Sequence, residues 1–418
     1  MNVLIKSAKI IDKNSSFHEQ TKDILIENGI ITKIANKISN PNKIKEISFD
    51  NLHVSNGWFD ASVSLGEPGY EERETIDHGL EIAAKSGITG IALNPNTKPY
   101  IDNKSAVEFL VRKGADSVVD LYPIANLTQG SEGKELAEMY DMQNSGAIAF
   151  ADYNQSVNNA NLMKIALLYA RNFDGLVMNF PQDDSIATIG FVNESENTTR
   201  LGLDAIPGLA EELRITRDLF LLDYTGGKLH IPTISTAKSV KLIKEAKKKG
   251  LDVTCSVSAH HLLLNDEEIK SFDTNYKVKP PLRSKSDAKA LIKGVKEGTI
   301  DMIVSDHNPI DIENKNVEFA NGMNGTIGLE SFFGSINSIM NMDDFIDSIT
   351  VNPRKRFALP IDGIEKGAKA NLSLFDPSYH YTFTQEKILS KSNNSAFLGK
   401  ELKGIVYGVI SNNKIIIN

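Results

Sequence analysis

Short apolar runs alternate with stretches of amphipathic spacing along this chain, and the rhythm changes twice. Residues 1–54 carry β-like runs at 2–11, 23–27, 30–34 and 47–53, separated by polar turns, and Glu27-Asn28-Gly29-Ile30 has the Asn-Gly signature of a tight hairpin. From Gly57 onward an opening strand with Trp58 and Phe59 is followed by apolar runs at 90–93, 120–124, 147–150, 176–179, 228–231, 252–257 and 302–304. Stretches 75–86, 160–171, 206–224, 235–249 and 284–298 have helical length and spacing. Eight strand candidates, each usually followed by a helix, predict a parallel (β/α)8 barrel over residues 55–356. After about residue 357 the pattern returns to β-like runs at 370–375, 404–411 and 414–417. Two β-rich ends flanking a barrel pair most simply with each other. The expected class is therefore α/β, with residues 1–54 plus 357–418 forming a small composite β-sandwich domain beside the barrel.

Composition narrows the setting. The 418 residues are 41% hydrophobic and 24% charged, ordinary for a globular protein, with a formal net charge of -8. That balance argues against nucleic-acid binding. No apolar run approaches the roughly 18–20 residues of a membrane span, so no membrane association is expected. The single cysteine, Cys255, permits no internal disulfide and fits a reducing compartment. The first residues, Met-Asn-Val-Leu-Ile-Lys-Ser-Ala-Lys, lack the apolar segment of a signal peptide, and a cytoplasmic location is expected.

Candidate chemistry gathers in Asn56-Gly-Trp-Phe-Asp-Ala-Ser-Val-Ser-Leu-Gly-Glu-Pro-Gly69. Alternation along a strand points Ser62 and Ser64 the same way, with Asp60 beside them, and the polar end lies where β/α barrels keep their chemistry. Further along stand Glu74-Thr75, Asn94-Pro-Asn-Thr97, His230-Ile231, Ser235-Thr236 and Ala259-His-His-Leu262. Lys277, Pro280-Pro-Leu-Arg283, Ser305-Asp-His307 and Gly328-Leu-Glu330 follow. In this order and spacing the chain resembles dihydroorotases of the amidohydrolase superfamily over nearly its whole length. The resemblance implies a TIM-type barrel with a β-domain built from both termini. It also implies cyclic-amide hydrolysis in pyrimidine biosynthesis, and two zinc ions bridged by a carboxylated lysine or an aspartate.

Carried onto this chain, the metal positions fall on Ser62, Ser64, Asp152, Asn179, Thr233 and Asp306. The first two, Asn179 and Thr233 replace histidines; Asp152 and Asp306 remain. Neutral Ser, Thr and Asn are poor zinc ligands, so no cofactor is expected. Asp306, the family's proton shuttle, is the vestigial catalytic residue. On the substrate side Asn96 is retained, but the arginine that would clamp a carboxylate is Gly66. Lys279 replaces an asparagine and Ile310 a histidine. A bound metal lowers the pKa of water from about 15.7 to about 7, equivalent to about 12 kcal/mol of activation, whereas a general base alone contributes about 10²–10⁴-fold.

The expectation is a catalytically degenerate dihydroorotase-like protein with a structural or regulatory role, and aspartate transcarbamoylase is the partner the resemblance suggests. A homo-oligomer is also expected, dimers being common in the family. The alternative is an active dihydroorotase, or a related cyclic-amide hydrolase, with a reduced or unusual metal site. A third reading is a ligand sensor using Asn96 and backbone groups. His230, His260, His261 and His307 read as structural histidines.

Overall fold

A computed structural model describes residues 1–41 and 43–418. Its first strands are β1 (Asn2–Ile11), β2 (Thr21–Glu27), β3 (Ile30–Ala35), β4 (Lys45–Ile47) and β5 (His53–Asn56). The next are β6 (Trp58–Val63), β7 (Ile88–Leu93), β8 (Asp120–Ala125), β9 (Ala149–Phe150) and β10 (Leu176–Met178). A small pair, β11 (Val192–Asn193) and β12 (Ala205–Ile206), precedes β13 (Lys228–Ile231), β14 (Val253–Ser258) and β15 (Met302–Val304). The chain ends with β16 (Leu372–Thr382), β17 (Glu401–Ser411) and β18 (Lys414–Ile417).

Eight strands run in parallel in the order β15-β14-β13-β10-β9-β8-β7-β6. The ring is completed where Val63 bridges His307 and the Ser64 amide donates to the His307 carbonyl at 2.7 Å. Being covered on both faces, strands such as β7 and β15 are buried along their whole length and rich in Ile, Val and Leu. Helices return the chain between strands. Ala237–Lys248, for example, is capped by Thr236, whose hydroxyl accepts from the Ser239 amide at 3.1 Å, and ends on Lys247 and Lys248 where the helix dipole favours cations. The α/β barrel is thus the one the strand pattern predicts.

The terminal strands form one eight-stranded sheet, β18-β17-β16-β5-β1-β2-β3 with β4 on β1, around an apolar cluster that includes Val3, Ile5, Ile24, Val54 and Leu374. One predicted strand, 47–53, divides into β4 and β5. Asn51 between them takes φ 50°, which ends an extended run. Trp58 joins sheet and barrel. It is fully buried, stacks on Phe333 with centroids 4.6 Å apart, approaches Phe375 at 5.3 Å, and donates from Nε1 to Ser55 Oγ at 2.9 Å. Trp58→Ala would leave a cavity at this junction and is expected to cost about 3–5 kcal/mol, read as a lower midpoint in urea unfolding.

Candidate ligand site at the barrel mouth

Strand β6 delivers the first residues of the site. Asn94, just beyond β7, donates from Nδ2 to both Ser62 Oγ and Ser64 Oγ at 3.2 Å, so the two serines do share a side. Ser62 in turn donates to Asp306 Oδ1 at 3.1 Å. Asp306 follows β15 with φ 51°, a left-handed conformation costly for a residue with a Cβ and common where side chains are aimed at a site. Beside it Asp60, wholly buried, accepts from the amides of Ser62 and Ser305 at 3.2 Å. Burial pushes the carboxyls of Asp60 and Asp306 up to about 7, and the charge of Asp306 adds to the effect on Asp60. Near neutral pH this pair therefore holds protons that ordinary aspartates have lost.

The other sequence-predicted positions are engaged separately. Asp152 accepts from the amides of Leu127 and Thr128 at 3.1 Å and from the Thr128 hydroxyl at 2.5 Å. Asn179 accepts from the Val157 amide at 3.0 Å and donates to Asp218 Oδ2 at 2.6 Å. Thr233, at φ 46°, donates its amide to Ser256 Oγ at 3.1 Å. Ser62, Ser64 and Asp306 are thus joined in one network through Asn94, while Asp152, Asn179 and Thr233 each belong to local ones.

A two-metal centre needs imidazole, carboxylate or thiolate donors converging on a common point. Among the described residues no three His, Cys, Asp or Glu side chains are grouped so as to hold a metal ion. Hydroxyls and an amide stand at four of the six positions, and the Asp152 oxygens already take three donors. These residues do not fit a pair of divalent metals.

The turn at Gly66, where the resemblance implies an arginine, leaves no room for a side chain. A Cβ there would lie 1.8 Å from the Tyr70 carbonyl oxygen and 2.8 Å from that of Glu74. The turn is closed by Tyr70 N donating to the Gly66 carbonyl at 2.9 Å and by Gly66 N donating to that of Glu74 at 3.0 Å. Only glycine fits.

A cavity of about 370 Å³ opens at the mouth, lined by Tyr70, Arg73, Asn96, Asp152, Tyr153 and Asn324. Ile310 contributes an apolar wall. Arg73 is held by Asp311 at 3.2 Å and lies 4.5 Å over the Tyr70 ring. The Oδ1 atoms of Asn96 and Asn324 are buried without hydrogen-bond partners. Unmatched buried acceptors favour a ligand that brings N–H donors. Lys279, 5.2 Å over the Phe180 ring, has its pKa lowered by burial.

Two of the four structural histidines have partners on both ring nitrogens, and His307 on one, its Nε2 being buried without a partner. His230 faces the hydroxyls of Thr254 and Ser256, His261 those of Ser258 and the Pro281 carbonyl, and His307 Nδ1 accepts from the Gly328 amide at 3.1 Å. His260 differs: both ring nitrogens are buried without partners, Nε2 lies 4.0 Å from Asp306 Oδ2, and burial holds the ring neutral. Its place just after β14, at the carboxyl end of a barrel strand, was the signal for it in the sequence. The arrangement offers acceptors for amide N–H groups and one protonatable carboxyl beside a neutral imidazole.

Comparison with known proteins agrees with this architecture. A family model described as Dihydro-orotase-like matches residues 53–239, and one described as Amidohydrolase family matches residues 209–416. A dihydroorotase of Geobacter metallireducens is 36% identical over 100% of the chain and 99% of its own length. One from Caldicellulosiruptor saccharolyticus is 40% identical over 99% and 98%. Among solved structures, the L-hydantoinase (dihydropyrimidinase) of Arthrobacter aurescens superposes with a TM-score of 0.87 at 20% identity, covering 100% of this chain and 96% of that one. The dihydropyrimidinase of Brevibacillus agri gives 0.83 at 19%, covering 100% and 95%. At that identity these two structures speak to the fold alone. No helix among the described residues is long and apolar enough to cross a membrane.

Proposed function

This chain belongs to the dihydroorotase-like branch of the amidohydrolase family, and from that premise we propose that it is a degenerate member which binds a small cyclic amide or ureide without opening it. The observation that carries this reading is the donor set. Ser62, Ser64, Asn179 and Thr233 stand at the positions where the family's resemblance places histidines, and Asp152 already accepts three hydrogen bonds from Thr128 and the backbone. Asp306 remains as a proton-holding group, but without an activated water it has nothing to shuttle a proton for. On this reading residues 55–356 form the ligand-carrying barrel domain, and residues 1–54 with 357–418 form the composite domain beside it. The role is structural or regulatory, and aspartate transcarbamoylase is the partner to test by co-expression and size-exclusion chromatography, where separate elution removes it.

A second reading has its own support. Relatives that match the chain end to end carry the name dihydroorotase, which favours an active cyclic-amide hydrolase with a reduced or unusual metal site. Elemental analysis of the purified protein, with assays of dihydroorotate opening and carbamoyl-aspartate closure, separates the two. The expected result is substoichiometric metal and no turnover above background. Stoichiometric metal with turnover overturns the degenerate reading.

A further inference from the structure

A second cavity, of about 180 Å³, opens on the flank of the barrel, between the end of helix Ile76–Lys85, helix Phe332–Asn337 and strands β16 and β17. It shares no lining residue with the cavity at the mouth. Phe333, Tyr381, Phe383 and Val406 supply its apolar wall. Two of these rings are seated on glycine backbone. A Cβ at Gly404, where φ is 109°, would come within 2.5 Å of the Phe333 ring, and one at Gly334 within 2.5 Å of the Tyr381 hydroxyl oxygen. The wall is therefore set by close backbone approach and formed in advance of any guest.

Polar groups on the same wall are less well served. Glu330 Oε1 accepts from the amides of Leu389 and Ser390 at 3.1 and 2.8 Å and from the Ser390 hydroxyl at 2.6 Å, which fixes the carboxylate in place. Its Oε2 is buried with no hydrogen-bond partner among the described residues, and so is the hydroxyl of Ser86, a residue only 5% exposed. An acceptor held in this way is stabilised by an N–H brought to it. Lys387, its ammonium 5.1 Å over the Tyr381 ring, brings a compensating positive charge to the same cavity, so a neutral donor suits it better than a cation.

We propose that this flank cavity is a second binding site, taking a neutral planar heteroaromatic molecule of one or two fused rings that donates a ring N–H to Glu330. Its volume slightly exceeds the roughly 150 Å³ that accepts benzene in an apolar cavity. Phe333 and Phe383 offer ring faces and edges to such a guest, and Lys387 offers it the cation–π contact already made to Tyr381. The Ser86 hydroxyl, donor or acceptor as required, is the second polar contact.

The chain has a single tryptophan, Trp58, stacked on Phe333 with centroids 4.6 Å apart. Full-length protein labelled with 5-fluorotryptophan therefore gives one fluorine resonance beside the cavity. Titration with indole is expected to shift that resonance saturably, with a dissociation constant on the order of 0.1–1 mM. Benzofuran, the same shape with oxygen in place of N–H, is expected to bind about tenfold more weakly. Glu330→Gln, shown to be folded by circular dichroism, should weaken indole by about tenfold and leave benzofuran unchanged. Asn96→Ala, at the mouth, should leave the indole titration as it is. No saturable shift, equal affinity for the two isosteres, undiminished indole binding by Glu330→Gln, or a shift lost in Asn96→Ala would each overturn the site. If Glu330→Gln does not fold, the comparison of the two isosteres on wild type decides alone.

Discussion

Changing Ser62, Ser64, Asn179 and Thr233 together to histidine is expected to create a tight zinc site and yet leave dihydroorotate turnover close to background. The first half follows from donor chemistry. Imidazole binds zinc where hydroxyl and amide oxygens do not, and Asp306, freed from Ser62, would add a carboxylate. Small structural sites of this kind reach about 10 kcal/mol or more of apparent binding free energy at neutral pH, which corresponds to submicromolar dissociation. Isothermal titration of the metal-stripped variant with zinc reads this directly, and wild type should give no comparable heat. The second half follows from Gly66. The Tyr70 carbonyl occupies the space of any Cβ at that position, so the contact that would hold a substrate carboxylate stays absent even with metal in place. Adding Gly66→Arg should lower stability rather than rescue activity. Failure of the fourfold variant to bind zinc would show that these positions do not form a metal site at all. Turnover approaching that of an active dihydroorotase would show that the mouth had kept its substrate contacts.

Much of this architecture was readable because parallel strands buried on both faces leave a plain mark. The runs at 90–93, 228–231 and 302–304 coincide with β7, β13 and β15 to within two residues. The run at 147–150 shrinks to Ala149–Phe150, since only these two residues pair with β8 and only Phe150 also pairs with β10. Helix Lys104–Gly114 escaped notice because it buries only Val107 and Leu110, although its cap Asn103 was a visible start signal. At the site, the period of two correctly put Ser62 and Ser64 on one side. It could not show that Asn94 ties them together, because that bond spans two strands. Nor could it show that the space beside Gly66 is filled by the carbonyl of Tyr70, four residues along the loop. Likewise, nothing in a linear pattern distinguishes His260, with no partner for either nitrogen, from His261, which has two. Pairing across the barrel decides these matters, and sequence spacing does not record it.

The retained aspartate gives the second large effect. Burial raises the Asp306 carboxyl to about 7 in the folded chain, against about 3.9 for an unperturbed aspartate. Between those values the folded state binds more protons than the unfolded one, so this group's contribution to stability is fullest at low pH and is lost as pH rises through 7. Histidines act in the opposite direction. His230 is held down to about 3 and His261 to about 4, so their contribution is present above about 6.5 and is lost as the medium acidifies. Asp306→Asn removes the first effect and leaves the second. At pH 8 the variant is therefore expected to be more stable than wild type by about 4 kcal/mol at most, taking about 1.4 kcal/mol per unit. The advantage should shrink toward zero near pH 4 and level off above pH 7. Urea unfolding of both proteins at several pH values between 5 and 8 measures it. A carboxylate that held a metal would behave in the reverse manner, its removal costing stability most where it is fully ionised. A loss of stability at pH 8 would therefore count against the metal-free reading of the barrel mouth, and a gain that grows with pH would place Asp306 among groups kept protonated by burial.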